Sequence, residues 1–395
     1  MDEHIVFFLG SGVSRPSGMP SVADITQKVL DAPLVYTENK RYVFPGSVEN
    51  NPKFGEPSDS SHGRVAKLRG YLDLVKQHAE PVLSQFGREV TYEDLYALCG
   101  VVVNDQEQRK RAHQPVNPEA RQFSEKLEDK IGGDLLKCQE DPRGPLAFTA
   151  NEATFLISGV VREMLSDSPD EIQGLDPLLA AIEELDRVTI VTLNHDLLLE
   201  QLLKEHDIDF DDGFEERKDG DVRRYSPEPL FDGPNDVTII KPHGSVRWYV
   251  DDSGHQSEYI SFPVDEPVPG PTKLLNLWPR EPRILHGYRK ADQYTADIYG
   301  DMVDALLLAL HDTSTVVESG FGWTDPGMYN HLHRYFQWSQ DNRLLSLHPE
   351  GDFSEPHPRS YYWNSFSNPP QGLLWDELQV YLSGTSWNEI KTEIE

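Results

Sequence analysis

Apolar positions fall into short runs of two kinds, and each kind predicts a different element. Glu3 to Leu9 (EHIVFFL) is a continuous apolar run that stops at Gly10-Ser11-Gly12. Such a run predicts a buried strand feeding a glycine turn, the opening of an α/β unit. Val188–Thr192, Val237–Lys241, Thr315–Glu318 and Arg343–Leu347 repeat the strand pattern later in the chain. Helical spacing takes over elsewhere. Pro20-Ser21 opens a helix with Ser21 as N-cap and Asp24 at the capping-box position. Asp196–Lys204 carries four leucines on one side, and Asp325-Pro326 caps a helix whose Met328, Leu332, Tyr335 and Phe336 face inward. Residues 31–63 read as loop with a hairpin, and five helical patterns follow over 64–86, 91–103, 118–137, 151–166 and 175–186. Asp207–Asp236 reads as an acidic, loop-rich connection, Asp207–Asp221 as a solvated loop, and Leu373–Leu382 as a helix. Trp387–Glu395 is either a partner-facing helix or a fraying end. Strands alternating with helices predict an open, mostly parallel α/β sheet (1–30 and 186–395) interrupted by a helical insertion over 31–185.

Composition narrows the function classes. The 395 residues are 37% hydrophobic, which suits a globular chain, and no apolar run approaches a membrane span. No basic segment precedes an apolar leader, so a soluble, cytoplasmic protein without membrane attachment is expected. The net charge of −31 disfavours a broad nucleic-acid footprint, so no direct nucleic-acid partner is expected. It leaves room for a local anion site made of backbone N–H groups. The two cysteines, Cys99 and Cys138, form no Cys-x-x-Cys and exclude a thiolate zinc ribbon. His331 and His333 lie on different helix faces and make a poor metal pair, so no metal is expected.

Four segments carry candidate chemistry, and each follows a predicted strand directly. Gly10-Ser11-Gly12-Val13-Ser14, with Gly18-Met19-Pro20 behind it, lets backbone N–H groups approach a phosphate while Ser14 adds a hydroxyl. Arg15 stands where a dinucleotide fingerprint has its third glycine, so the dehydrogenase pattern fails; a glycine turn without ligand is the competing reading. In Thr192-Leu193-Asn194-His195-Asp196, Asn194 or Asp196 is either a helix cap or a site residue. Lys241-Pro242-His243-Gly244-Ser245 offers His243 as a structural or a catalytic imidazole. Glu318 to Asp325 supplies a second glycine turn into a helix start.

In this order the four segments resemble the sirtuin-like (SIR2) family, whose marks are a GAGxS loop followed by G-[IM]-P, a T-x-N-x-D segment, an H-G pair and a later G-x-S turn. Thr91-Tyr92-Glu93-Asp94-Leu95 is similar to the Y-E-D-L stretch in the helical insertion of prokaryotic SIR2-like proteins, a branch that includes NAD-degrading effectors of antiphage defence. The resemblance implies a Rossmann-like NAD-binding domain. It implies that Gly10, Ser11, Gly12 and Ser14 line the NAD pyrophosphate and that Asn194 holds the nicotinamide ribose and a water. By the same resemblance His243 contacts the ribose hydroxyls, Asp196 the nicotinamide carboxamide, and Gly320 the adenosine half. The chain departs from the pattern at Ser11, at Ser21-Val22-Ala23 in place of Asp-Phe-Arg, at Gly322 and at Leu347-His348.

The implied activity is hydrolysis of NAD, as substrate, to ADP-ribose and nicotinamide by a defence effector. Such an effector implies a homo-oligomer and a partner defence protein such as a HerA-type ATPase. Cleavage of the glycosidic bond passes through an oxocarbenium-like centre and releases a neutral pyridine. It therefore needs an oriented ribose, a placed water and anchored phosphates rather than a strong acid. Deacylation or ADP-ribosyl transfer is disfavoured by the missing zinc cysteines and Asp-Phe-Arg loop. A non-catalytic NAD or ADP-ribose module is the reading from another class.

Overall fold

The computed structural model describes residues 4–50, 57–110, 117–137, 141–167, 169–216, 222–251, 257–263, 281–287, 293–295, 297–323, 325–339, 341–347, 373–374 and 382–394. Its centre is β1 (His4–Leu9), all six residues of which are buried. Five further strands extend a parallel sheet from it: β4 (Arg187–Thr192), β7 (Val237–Ile240), β10 (Thr315–Ser319), β11 (Arg343–Leu347) and β12 (Leu373–Leu374). Across the sheet they run β12-β11-β10-β1-β4-β7. In order along the chain this is the doubly wound 3-2-1-4-5-6 arrangement, which reverses between β1 and β10 and opens a crevice beyond their carboxyl ends.

Side chains alternate across β1, so its two faces enter different cores. Ile5, Phe7 and Leu9 pack towards α1 (Val22–Asp31) and the helices that follow it. Those are α3 (Ser61–Leu83), α4 (Tyr92–Lys110), α5 (Pro118–Ile131), α6 (Pro145–Leu165) and α7 (Asp176–Glu184). Val6 and Phe8 pack towards α10 (Asp297–His311) and α11 (Pro326–Trp338). The predicted Ser21–Asp24 capping box and the Asp325-Pro326 helix start are both present. No helix among the described residues is long and apolar enough to cross a membrane.

Several expectations are corrected. The segment read as acidic loop contributes β5 (Phe214–Glu216) and β6 (Arg223–Tyr225) to an antiparallel sheet, β5-β6-β9-β8, with β8 (Trp248–Asp251) and β9 (Glu258–Ser261). Asp211 and Asp212 are buried in it rather than solvated. Asp212 takes a bidentate pair of 2.7 Å hydrogen bonds from Arg223, and Asp211 accepts from Asn235. Paired in this way, carboxylates tolerate burial that a solvated loop would not need. Leu373–Leu374 is an edge strand paired with Leu344–Leu345, not a helix start; 375–381 lie outside the described residues. The final helix, α12 (Trp387–Ile394), inserts Trp387, Ile390 and Ile394 into the core beside Phe7. Cys138, Thr324 and His348 also lie outside the described residues.

Candidate functional site

Residues from the ends of β1, β4, β7 and β10 meet in one cleft of about 180 Å³ at the reversal of strand order. Gly10, Ser11, Ser14, Asn194, Asp196, His243 and Gly320 line it together with Asp325; Gly12 does not. Two glycine turns form its floor by interlocking. The Gly10 N–H donates to the Ser319 carbonyl at 2.9 Å, and the Gly12 N–H donates to the Gly320 carbonyl at 3.1 Å. A Cβ on Gly10 would sit 2.3 Å from the Gly320 oxygen. Gly320 has φ +70°, and a Cβ there would meet the Val13 nitrogen at 2.7 Å. Both glycines are thus required by backbone-to-backbone approach. The Gly12 amide is spent inside this interlock, and the Val13 amide donates to the Gly10 carbonyl.

Above that floor, Asn194, Ser14 and Asp196 form one hydrogen-bonded row. The Asn194 amide donates to the Gly10 carbonyl at 3.2 Å and to Ser14 Oγ at 2.8 Å. Ser14 Oγ donates onward to Asp196 Oδ2 at 3.0 Å, while Asp196 Oδ1 accepts the Leu198 N–H at 3.2 Å. Asp196 thus receives the first N–H of α8 (Leu198–Glu205), whose N-cap position is Leu197, and also lines the cleft. With both amide hydrogens of Asn194 engaged, its Oδ1 is the atom left to accept from a water or a sugar hydroxyl.

Support comes from a residue that the sequence reading passed over. Lys241 Nζ donates to the Asp196 carbonyl at 2.5 Å and to Glu200 Oε1 at 2.6 Å, all within the core. Burial pushes the Glu200 carboxyl up, and the Lys241 ammonium opposes that shift. The loop after β7 is clipped to the loop after β4 by the Val246 N–H donating to the His195 carbonyl at 3.0 Å.

His243 is buried, and its Nε2 lies 2.6 Å from the Tyr294 hydroxyl and 3.1 Å from Asp325 Oδ2. Tyr294 donates to the same Asp325 oxygen at 2.8 Å. Burial and the Asp325 carboxylate together hold the Tyr294 phenol well above its ordinary range. Asp325 was read only as a helix cap, and Tyr294 carried no signal at all.

The helices between β1 and β4 reach this cleft through Tyr92 and Glu93 of α4 and Leu165 of α6. Asp94 of the same Tyr-Glu-Asp-Leu stretch does not reach it. Asp94 forms a reciprocal cap with Thr91 and takes two 2.7 Å hydrogen bonds from Arg88. Glu318 at the end of β10 is fully buried and accepts from the Phe321 N–H at 2.8 Å, from the Trp323 indole at 3.3 Å and from Ser346. It fixes the second glycine turn from beneath. Among the described residues, no group of three or more His, Cys, Asp or Glu side chains is placed to hold a metal ion.

With this geometry in place, known proteins can be set beside the chain. The family model described as SIR2-like domain matches residues 188–368, a little less than half of the sequence. No curated protein matches. Among solved structures, a Sir2 homologue bound to NAD aligns at 12% identity and a TM-score of 0.39, over 99% of this chain and 90% of that one. A mutant Sir2 homologue bound to ADP-ribose aligns at 11% identity and a TM-score of 0.36, over 100% of this chain and 92% of the other. Residues 188–368, which carry Asn194, Asp196, His243 and Gly320, are therefore similar to the SIR2-like domain.

Proposed function

We propose that the protein is an NAD glycohydrolase that cleaves NAD, its substrate, to ADP-ribose and nicotinamide. One observation carries this reading: Asn194 and His243, from two different strand ends, line a single cleft at the switch point of a doubly wound sheet. In the reaction, the bond between ribose C1′ and the nicotinamide nitrogen breaks with its electron pair passing to the pyridine ring. Water forms the new bond to C1′, and its proton leaves through His243 to solvent. In this reading Asn194 Oδ1 would accept from that water or from the ribose, and Asp196 would accept from the nicotinamide carboxamide. Ser11 and Ser14 would face the pyrophosphate. Gly10, Gly12 and Gly320 act through the shape of the interlocked turns, which bring the strand ends close to the ligand.

In the same reading residues 1–30 and 186–395 form the nucleotide-binding domain, and 31–185 an insertion subdomain that closes one wall of the cleft with Tyr92, Glu93 and Leu165. A toxic NAD hydrolase must be restrained until needed. A cytoplasmic antiphage effector controlled by homo-oligomer assembly, or by a partner such as a HerA-type ATPase, accounts for that restraint by analogy with the family.

The test is nicotinamide release from NAD by the pure protein, alone and with candidate partner proteins. Wild type is expected to release nicotinamide, and Asn194→Ala and His243→Ala are each expected to lose at least about 100-fold. Binding without release would make the cleft a non-catalytic NAD or ADP-ribose module. Release that requires an acyl-lysine peptide or a protein acceptor would mean deacylation or ADP-ribosyl transfer.

A further inference from the structure

The loop that carries His243 is bonded through its backbone to a later segment, 281–287. The Leu285 N–H donates to the His243 carbonyl at 2.8 Å, and the Ser245 N–H donates to the Arg283 carbonyl at 3.2 Å. These two bonds close an antiparallel bridge between Gly244 and Ile284. A third runs from the Arg283 N–H to the Trp248 carbonyl at 2.7 Å. The approach explains the glycine after His243. Gly244 has φ +79°, and a Cβ there would collide with the Arg283 carbonyl oxygen.

The same segment is anchored on the helices between β1 and β4. Glu281 is buried, and its Oε2 accepts from Arg162 Nη1 of α6 at 3.3 Å. Arg162 is fully buried, and its Nη2 donates to the Tyr42 carbonyl and to Glu163 Oε1, each at 3.2 Å. Its guanidinium is therefore fixed from the helix side. Arg41, also buried, places a second positive charge near Glu281. At the other end of the segment Gly287 has φ +80°. A Cβ there would lie 2.8 Å from the Ala97 Cβ and 3.0 Å from the Glu93 carbonyl oxygen, both in α4. In between, the Arg283 guanidinium carbon lies 5.7 Å from the ring centroids of Tyr259 and Tyr299.

We infer that Glu281 and Arg162 are positioning residues for His243: the pair holds 281–287 on α6, and that segment sets the place of the His243 backbone at the cleft. Neither residue lines the cleft, so both act through the backbone of Arg283 and Leu285. A hydrogen bond between two charged groups is stronger than a neutral one, and burial keeps water from replacing it. Cutting it leaves the loop and the segment bonded to each other but frees them together from α6. A displacement of about 1 Å at a reacting group costs about 100-fold in rate. The inference rests on the hydrolase reading for its kinetic consequence and on the backbone bonds alone for the placement of the loop.

Glu281→Ala removes the tether, whereas Glu281→Gln keeps an oxygen for Arg162 and removes only the charge. Leu127→Ala, at a buried position of α5 away from the cleft and the segment, is the control for lost stability. Each variant is read twice: by hydrogen exchange in the peptides carrying Ser245 and Leu285, and by kcat and KM for nicotinamide release. Glu281→Ala is expected to speed exchange of both amides about tenfold beyond Leu127→Ala, compared at urea concentrations that give equal global stability. Its kcat is expected to fall about 10–100-fold with KM within about threefold of wild type. Glu281→Gln is expected to stay within about threefold of wild type in both readouts, because the tether survives. If Glu281→Ala does not fold, Glu281→Asp carries the test: it keeps the charge, withdraws the carboxylate by one methylene, and is expected to shift both readouts in the same direction. Wild-type exchange and kcat in the tether variant, or equal changes in Leu127→Ala at equal stability, would overturn the inference. If the wild-type protein releases no nicotinamide, the hydrolase reading fails, while exchange at Ser245 and Leu285 still decides whether the pair holds the loop.

Discussion

Substituting Gly10 with alanine tests whether the two glycine turns hold the site by interlocking. The added Cβ would lie 2.3 Å from the Gly320 oxygen and 2.6 Å from the Gly320 carbon and the Phe321 Cα, all backbone atoms. Ordinary carbon contacts sit at about 3.5 Å, so the turns must separate by about 1 Å. That separation breaks or weakens the Gly10–Ser319 and Gly12–Gly320 hydrogen bonds and displaces the carbonyl that receives the Asn194 amide. Overpacking of this kind costs about 1–3 kcal/mol, and a misplacement of this size at a reacting centre costs about 100-fold in rate. Gly300→Ala is the control. Gly300 lies inside α10, a Cβ there would make only an ordinary 3.4 Å contact, and alanine should stabilise the helix by up to about 1 kcal/mol. Urea unfolding followed by tryptophan fluorescence, with nicotinamide release on the same samples, reads both effects. Gly10→Ala should unfold at lower urea and lose release, and Gly300→Ala should shift the midpoint upward. A Gly10→Ala protein with wild-type midpoint and wild-type release would refute the interlock.

Two further outcomes follow from buried groups. Lys241→Met leaves the Glu200 carboxylate uncompensated in the core, a loss of about 3–5 kcal/mol at neutral pH. Since burial already raises the Glu200 carboxyl, removing Lys241 raises it further. The deficit should therefore shrink as pH falls and the carboxyl takes up a proton, and Glu200→Gln should restore part of the stability at pH 7; a pH-independent deficit would contradict this account. The Cys99 thiol is fully buried and pushed up to about 12, so native protein at pH 8 should resist a thiol reagent at this position until urea is added. Peptide mapping of modified protein reads that directly.

How much of this was visible in the chain depends on how local each signal was. β1, β4, β7, β10 and β11 announced themselves because strands buried on both faces are continuous apolar runs. The residues just after them fell together because a parallel sheet collects strand carboxyl ends along one edge. Tyr294 was invisible for the opposite reason. It meets His243 across 51 positions from a short segment with no hydrophobic period of its own. Asp325 was legible only as a cap because its second oxygen acts at long range. The antiparallel sheet was missed because Asp211, Asp212 and the glutamates of β5 looked solvated, although Arg223 and Asn235 neutralise or satisfy the two aspartates. Leu373–Leu374 shows the remaining ambiguity: a short apolar pair fits a helix face or an edge strand equally well until its neighbour, Leu344–Leu345, is known.

The central claim is that this cleft cleaves NAD with water. Its most direct test is a time course of products from NAD and the protein in the absence of any peptide or protein acceptor, with nicotinamide and ADP-ribose quantified together. The account predicts that the two appear in equal amounts and that both vanish in Asn194→Ala. NAD recovered intact from a protein that binds it, with and without candidate partners, would contradict the claim.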